Sequence, residues 1–201
     1  MRNPMDLTGR TALVTGAGQR LGRAFAEALL SRNADVIVHY GRSAEGAQAV
    51  VDLAQRLGRG AVAIQADLRR ADQAAALVER GAALLRPPDL LVNSAAIFEN
   101  AGLADTSLET WQAHLDINLT APFLVSQAFA RTLPGKAGAI VNLLDWRALR
   151  PGADHFAYTV AKAGLAAMTL SLAQALAPSI RVNGLALGAI LPPAVAASAD
   201  P

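Results

Sequence analysis

The sequence predicts an α/β fold in which a doubly wound parallel sheet carries helices on both faces. Short apolar segments alternate along the chain with longer segments of helical character. Most of the short segments are continuously apolar, as expected of parallel strands that are covered on both faces. A glycine-rich turn follows the first of them. This alternation implies right-handed crossovers between parallel strands, and therefore a Rossmann-type sheet.

Six strands and five helices follow from this pattern. The strands are the apolar runs, and we predict them at 11–15, 35–39, 61–66, 89–93, 139–144 and 180–186. The helices are the longer segments between them, and we predict them at 21–32, 44–57, 71–85, 108–133 and 153–177. Thr106 and Glu109 have the spacing of a capping box for the fourth helix. Pro122 lies inside that helix and is expected to kink it, because proline lacks the backbone donor.

The end of the chain differs from the rest. After the sixth predicted strand come Leu191, Pro192 and Pro193, followed by an alanine-rich tail. No internal repeat or interior linker divides the sequence, so we expect one domain over residues 1–201. We also expect the sheet to end early, without its last strand, which would leave strand six as an exposed edge.

Composition excludes several classes of function. The 201 residues carry a net charge of +2 and contain no basic run, which argues against a nucleic-acid partner. The chain has no cysteine, so disulfides, thiolate nucleophiles and cysteine-bound metals are excluded, and its scattered histidines predict no metal site. No window approaches the roughly 18 uninterrupted apolar residues of a membrane span, and the amino terminus has no signal-peptide core. We therefore predict a soluble cytoplasmic protein with no membrane partner.

A glycine-rich turn marks the candidate dinucleotide site. The first strand runs into Thr15-Gly16-Ala17-Gly18-Gln19-Arg20-Leu21-Gly22, where a helix opens. Glycine lets the backbone approach a pyrophosphate, and the start of a helix offers free N–H groups to that anion. Glycines also form ordinary turns, but the position between a strand and a helix favours a cofactor. We therefore predict cofactor contacts from Gly16, Gly18, Arg20, Leu21 and Gly22.

The end of the second strand distinguishes NADH from NADPH. NADH-binding enzymes usually place an acid here to hold the ribose hydroxyls, whereas this segment reads His39-Tyr40-Gly41-Arg42-Ser43. Arg42 and Arg20 could grip a 2′-phosphate, with a hydrogen bond from Ser43. Two solvated surface arginines are the alternative. The sequence favours NADP(H), with His39, Arg42 and Ser43 among the residues that bind it.

The end of the third strand carries a further candidate. Asp67 could accept a hydrogen bond from the adenine amino group, with Leu68 beside it in the cofactor site. Asp67 could equally serve as a turn or helix-capping acid in the Ala66-Asp67-Leu68 segment. Both interpretations of Asp67 stay open at this point.

Further motifs resemble one enzyme family. Tyr158 and Lys162 form a Tyr-x-x-x-Lys element whose side chains share one helix face. Asn118 lies on the preceding helix, and Asn93-Ser94-Ala95 follows strand four. Together with the glycine turn, the order and spacing of these residues are similar to those of short-chain dehydrogenases/reductases. The resemblance extends over residues 11–193.

This resemblance implies a role for each residue. Tyr158 would donate the proton, while Lys162 would hold the nicotinamide ribose and lower the pKa of the phenol. Asn118 would fix a water that links Lys162 to solvent. The cofactor would be lined by Asn93, Ser94, Ala95 and Gly188. Family members commonly pair their fourth and fifth helices, which implies a homodimer or homotetramer, and they continue further, which implies a substrate-covering region truncated here after about residue 193.

Departures from the common family pattern resemble the pteridine reductase subgroup. The serine expected 13 residues before the tyrosine is Asp145, and the central glycine of the turn is Arg20. The subgroup also carries His-x-x-Arg-Ser after strand two, which recurs at 39–43. Phe98 occupies the position at which that subgroup stacks the pterin ring, and Trp146 would form a wall of the substrate site.

The resemblance implies NADPH-dependent reduction of a C=N bond in a small-molecule substrate, a dihydropterin, with Tyr158 and Asp145 managing the proton. A carboxylate at 145 would repel the alkoxide formed from a ketone, but it suits a ring nitrogen that needs a proton. The first alternative is reduction of a ketone, such as a 3-oxoacyl thioester or a small carbonyl compound. The second is an NADP-binding protein that does not catalyse, because the chain ends early.

Overall fold

The computed structural model describes residues 6–188 and 190, which form one parallel sheet with helices on both faces. The strands are β1 (Thr11–Val14), β2 (Asp35–Tyr40), β3 (Ala61–Gln65), β4 (Leu90–Asn93), β5 (Gly138–Asp145) and β6 (Ile180–Leu187). They lie in the order β3-β2-β1-β4-β5-β6, and every neighbouring pair is parallel. The predicted doubly wound sheet is confirmed. The strand order reverses between β1 and β4, where open sheets of this kind bind ligands.

The helices are α1 (Arg20–Leu30), α2 (Ala44–Arg56), α3 (Ala71–Leu84), α4 (Leu108–Leu115), α5 (Ala121–Arg131) and α6 (Phe156–Leu176). Successive residues of a strand point to opposite faces of the sheet, so each strand feeds two cores. In β1, Leu13 packs in a cluster that contains Phe129 of α5, whereas Val14 packs in a cluster that contains Leu30 of α1. Burial of this kind on both faces explains the continuously apolar strands.

The predicted helix at 108–133 is divided into three parts. A single π-helical turn, Asp116–Thr120, separates α4 from α5, and the N–H of Ala121 donates to the carbonyl of Asp116 five residues back. Pro122 follows at the start of α5 and has no N–H to return to Asn118, so the wider turn accommodates the missing bond. The expected kink at Pro122 takes this form.

The predicted capping box at Thr106 is wrong by one residue. The helix begins after Ser107, whose hydroxyl accepts a hydrogen bond from the N–H of Thr110 at 3.1 Å. Thr106 instead donates its hydroxyl to the carbonyl of Gly102 at 2.6 Å. The predicted start of the last helix at residue 153 is also wrong, because His155 has a left-handed backbone (φ +51°) that cannot continue a helix.

Within the described residues, β6 forms one edge of the sheet, next to β5. The Leu191-Pro192-Pro193 segment, and the truncation predicted after about residue 193, lie outside the described residues. α6 is long and apolar enough, by length and composition, to span a membrane. It packs against β5 and β6 and buries Tyr158 and Lys162, as the core helix of a globular protein does.

Candidate active site

The glycine turn between β1 and α1 is held by contacts from two neighbouring strands. Gly16 has a left-handed backbone (φ +67°), and a Cβ there would lie 2.8 Å from the Cα of Ala95. The hydroxyl of Thr15 accepts hydrogen bonds from the N–H groups of Ser94 at 2.9 Å and Ala95 at 3.1 Å. The segment after β4 therefore lies directly against the turn, which explains why glycine is required at position 16.

His39, predicted as a cofactor residue, supports the turn from below. Its side chain is buried, its Nδ1 accepts the N–H of Gly16 at 3.1 Å, and its Nε2 donates to the carbonyl of Ala66 at 3.1 Å. The pKa of His39 is lowered from 6.5 to about 4, mainly by burial and to a smaller extent by the charge of Arg80, against the hydrogen bond to Ala66, which raises it. Both imidazole nitrogens are engaged by main-chain groups, so the neutral ring positions the glycine turn.

A groove of about 740 Å³ opens above this turn, at the reversal of strand order. The start of α1 faces it, and the N-cap residue Gln19 makes no side-chain hydrogen bond to the first N–H groups of the helix. Those N–H groups can therefore meet an anion. The volume lies within the roughly 300–1,000 Å³ typical of small-molecule sites. The predicted cofactor residues that line it are Gly16, Gly18, Arg20, Leu21, Gly22, His39, Arg42, Ser43, Asp67, Leu68, Ser94 and Ala95.

Basic side chains gather at the end of the groove formed by β2 and β3. Arg20 has a positive φ of 49°, the backbone conformation that suits the glycine it replaces in the family pattern. Arg42 is exposed and Ser43 half-buried, and both line the groove. Both arginines predicted to hold a 2′-phosphate thus line the groove, and their contact with that phosphate stays a prediction.

Asp67 is held by an arginine that sequence reasoning missed. Arg69 contacts the Asp67 carboxylate at 2.7 Å through its guanidinium, and its main-chain N–H donates to the same group at 3.0 Å. The hydrogen bond from Arg69 lowers the pKa of Asp67. This geometry is that of a turn acid, the second of the two interpretations of Asp67. A contact between Asp67 and adenine stays a prediction.

Three predicted catalytic side chains converge at the carboxyl end of β5. The hydroxyl of Tyr158, on α6, donates to Oδ2 of Asp145 at 2.9 Å. Tyr158 is 7% exposed, and its pKa is raised, first by burial and then by the Asp145 charge. Lys162 lies one helical turn further on, with its Nζ 5.7 Å from the centre of the Tyr158 ring. A phenol, a carboxylate and an amine thus share one buried corner.

Lys162 donates its Nζ to the carbonyl of Leu143 at 2.5 Å. Burial lowers the pKa of Lys162 to about 8, against which the Asp145 charge acts to raise it. In this structure the phenol pKa is raised by its surroundings, so the expected lowering by Lys162 stays a prediction. The amine lies within the buried corner, at the distance of a short hydrogen bond from the backbone of β5.

The two predicted asparagines are engaged by the protein itself. Asn118 pairs its side-chain amide with the main chain of Ile97, accepting at 3.1 Å and donating at 3.0 Å. Asn93, on β4, donates to Ser126 at 3.1 Å and to Asn142 of β5 at 2.8 Å. Asn118 thus fixes the segment that carries Phe98, and the Asn93 side chain is directed into the core. Their roles toward water and cofactor stay predictions.

Phe98 joins the groove to the catalytic corner. It lines the groove, and its ring meets the Tyr158 ring edge-on at 4.7 Å. His155 occupies the N-cap position of α6, and its ring stacks on that of Phe98. Trp146 is 46% exposed beside Arg147, and Gly188 is exposed after β6. The predicted contact of Trp146 with the substrate and that of Gly188 with the cofactor stay predictions.

Among the described residues, no three acidic, histidine or cysteine side chains gather as a set of metal ligands. The titratable groups of the site are a phenol, carboxylates, an amine, the imidazoles of His39 and His155, and arginines. Such a set can position a dinucleotide and transfer protons to a reacting group.

Comparison with known protein families gives one match over most of the chain. A family model described as short chain dehydrogenase matches residues 10–200. The 3-oxoacyl-[acyl-carrier-protein] reductase of Synechocystis is 36% identical over 186 residues, which cover 92% of this chain and 75% of that protein.

Solved structures give the same picture. The FolM alternative dihydrofolate reductase 1 from Brucella canis, complexed with NADP, superimposes with a TM-score of 0.89 at 32% identity, over 94% of this chain and 76% of that chain. A short chain dehydrogenase from Burkholderia cenocepacia in complex with NADP has a TM-score of 0.85 at 41% identity, over 90% of this chain and 74% of that chain.

Proposed function

Since the chain belongs to the short-chain dehydrogenase family and is an NADP(H)-dependent oxidoreductase, we propose that it reduces a C=N bond of a dihydropterin or a related pteridine. The observation that carries the proposal is the hydrogen bond of 2.9 Å between Tyr158 and Asp145. A family pattern with serine at this position would offer the substrate a hydroxyl group. Here the substrate meets a carboxyl group instead.

Binding of the cofactor rests on the groove. NADPH, when bound, supplies the hydride. The glycine turn and the uncapped start of α1 would hold the pyrophosphate. Arg42, Arg20 and Ser43 would hold the 2′-phosphate, and Lys162 would turn from the carbonyl of Leu143 to the ribose hydroxyls. The family relatives that bind NADP support this assignment.

Proton transfer rests on Tyr158 and Asp145. The Tyr158 phenol is protonated at neutral pH, as a phenol of ordinary pKa is, so the hydroxyl is available as a donor. Its raised pKa makes it a weaker acid in this structure, and we propose that Lys162 lowers that pKa once it turns to the ribose. Asp145 accepts from this hydroxyl, and its other oxygen accepts from the N–H of Arg147 at 2.9 Å. A carboxylate held in this way would repel a developing alkoxide, but it can accept from ring N–H groups and steady a protonated ring nitrogen. This chemistry favours a nitrogen heterocycle over a ketone.

Phe98 supports the choice of a planar substrate. Its ring is 55% exposed at the junction between the groove and Tyr158. An exposed aromatic face beside a nicotinamide pocket suits a flat ring, and offset stacking contributes about 0.5–1.5 kcal/mol. The resemblance to a protein named as an alternative dihydrofolate reductase points to the same substrate class.

Ketone reduction is the second candidate, favoured by the 36% identity to a 3-oxoacyl-[acyl-carrier-protein] reductase. The test is a panel of dihydrobiopterin, dihydrofolate, an acetoacetyl thioester and small ketones, followed by NADPH absorbance. We expect turnover of at least one pteridine at a kcat/KM well above that of every ketone. Turnover of the thioester with none of either pteridine would overturn the pteridine proposal and leave ketone reduction.

The non-catalytic alternative is set aside, because the chain is an oxidoreductase of this family. We further propose one domain over residues 1–201, a cytoplasmic location and a homodimer or homotetramer. The assembly would pair the predicted fourth helix, which is α4 with α5 in the structure, and the predicted fifth helix, which is α6; Leu108, Phe123 and Leu170 are exposed on them. Light scattering coupled to size-exclusion chromatography tests the assembly. A monomer at micromolar concentration would contradict it.

A further inference from the structure

Phe98 is held by two aromatic neighbours. One face of its ring stacks on the imidazole of His155, with the centroids 4.0 Å apart and the planes 13° apart. Its ring also forms a T-shaped pair with that of Tyr158, with the centroids 4.7 Å apart and the planes at 78°. Phe98 lies in a segment without regular secondary structure and is 55% exposed. The guanidinium of Arg147 also lies over the ring, 6.0 Å from its centroid. The orientation of the ring therefore depends on these three neighbours, of which His155 is the one stacked on it.

A carboxylate fixes the imidazole. Nδ1 of His155 donates to Oδ2 of Asp154 at 2.9 Å, and the guanidinium of Arg147 donates to the same oxygen at 2.7 Å. The pKa of Asp154 is lowered, first by the hydrogen bond from His155, and the Arg147 charge lowers it further. The Arg147 main chain also donates to Asp145, the partner of Tyr158. These contacts form a closed ring that links the stacked pair, Phe98 and His155, to the hydrogen-bonded pair, Tyr158 and Asp145.

The backbone at His155 is fixed in an uncommon conformation. It lies in the left-handed region, with φ +51° and ψ +46°, directly before α6. Few residues other than glycine adopt this conformation, although asparagine, aspartate and histidine tolerate it best. The next residue, Phe156, donates its N–H to the carbonyl of Ala101 at 2.9 Å, which ties the start of α6 to the segment that follows Phe98. Strained residues held in this way cluster at functional sites.

We propose that His155 is a positioning residue for substrate recognition: held by Asp154, it covers one face of the Phe98 ring and presents the opposite face to a planar heteroaromatic substrate. The inference rests on the proposed function in placing the substrate beside Phe98. His155 would touch neither the cofactor nor the reacting atoms. Its loss should therefore change the affinity for a flat substrate, while proton transfer by Tyr158 continues.

The test uses His155→Asn, because asparagine tolerates the left-handed backbone and can still bond Asp154, so that the ring alone is removed. Leu149→Ala is the matched control, since Leu149 lies in the same segment and is 68% exposed. We expect His155→Asn to raise the KM for a dihydropterin about threefold to tenfold, the range that an aromatic pair supports. The kcat and the Kd for NADPH should stay within about twofold of the wild type, and Leu149→Ala should change none of the three.

A second readout follows the Phe98 ring itself. The chain contains five phenylalanines, which can be labelled with para-fluorophenylalanine, and the Phe98→Leu variant assigns the Phe98 resonance. We expect the fluorine resonance of Phe98 to move in His155→Asn and to stay in place in Leu149→Ala, because the ring current of the stacked imidazole is lost.

The two readouts separate the inference from the proposed function. An unmoved Phe98 resonance, or a moved resonance with an unchanged KM, would overturn the role of His155 and leave pteridine reduction in place. A wild-type protein that reduces ketones but no pteridine would refute the proposed function. A moved Phe98 resonance would in that case still support the positioning of this ring by His155.

Discussion

Replacing His39 by glutamine should remove an acid-sensitive part of the stability of the fold. The side chain is 2% exposed, and burial lowers its pKa from 6.5 to about 4. In the unfolded chain the imidazole titrates near its ordinary value, so between about pH 6.5 and about pH 4 the unfolded state binds the additional proton. The contribution of neutral His39 to the free energy of unfolding is therefore complete above about pH 6.5 and is lost as the pH falls toward about 4.

The magnitude follows from the two pKa values. A tenfold change in proton affinity corresponds to about 1.4 kcal/mol, so a fall from 6.5 to about 4 amounts to about 3 kcal/mol. Glutamine keeps a donor and an acceptor for Ala66 and Gly16 but cannot titrate in this range. Between about pH 7 and about pH 4 the free energy of unfolding of the wild type should therefore fall by about 3 kcal/mol more than that of His39→Gln.

Urea unfolding followed by tryptophan fluorescence measures both proteins at each pH. All other titrating groups are common to the two proteins, so the difference between their free energies of unfolding isolates His39. If the two free energies fell in parallel across this range, the buried neutral imidazole under the glycine turn would be refuted.

Three further predictions concern the cofactor and the proton. Arg42→Ala should raise the Kd for NADPH by about 10- to 100-fold, because a charge-assisted bond to the 2′-phosphate is lost, and it should leave the Kd for NADH unchanged. Calorimetry measures both constants, and an equal change in the Kd for NADPH and for NADH would contradict this. Asp145→Asn removes one of the causes that raise the pKa of Tyr158. The alkaline limb of the kcat/KM–pH profile, which reports groups of the free enzyme, should therefore move to lower pH, and an unmoved limb would count against the pair. Gly18→Ala would place a Cβ 2.5 Å from the carbonyl oxygen of Ser43, so both the Tm and the affinity for NADPH should fall; a variant with wild-type values would disprove the tight turn.

The sheet could be predicted from the sequence because its signals are periodic and local. Continuous apolar runs identify parallel strands, and the position of Gly16 and Gly18 after the first run places the turn between strand and helix. The ends of the helices were harder to predict from the sequence. The left-handed backbone of His155 prevents α6 from starting before Phe156. A positive φ at a residue other than glycine leaves no clear mark in the sequence.

Some residues of the candidate site could likewise be predicted from the sequence, and others could not. Tyr158 and Lys162 could be predicted because a four-residue spacing places both side chains on one helix face, and the structure brings them together. Asp145 could be predicted from the resemblance to the family, whose serine is expected 13 residues before the tyrosine. The ring of contacts through Arg147 and Asp154 was missed, because it depends on how the irregular segment after β5 folds back on itself. The burial of His39 was missed for a related reason: its neighbours come from the turn after β1 and the end of β3.

The central claim is that Tyr158 delivers the proton in an NADPH-dependent reduction of a pteridine. The most direct test compares the wild type with Tyr158→Phe, measuring NADPH oxidation with dihydrobiopterin and the Kd for NADPH on the same samples. We expect the wild type to turn over and the variant to lose at least about 100-fold in kcat with its NADPH affinity retained, as removal of a general acid requires. A Tyr158→Phe variant that reduces dihydrobiopterin at the wild-type rate would contradict the claim.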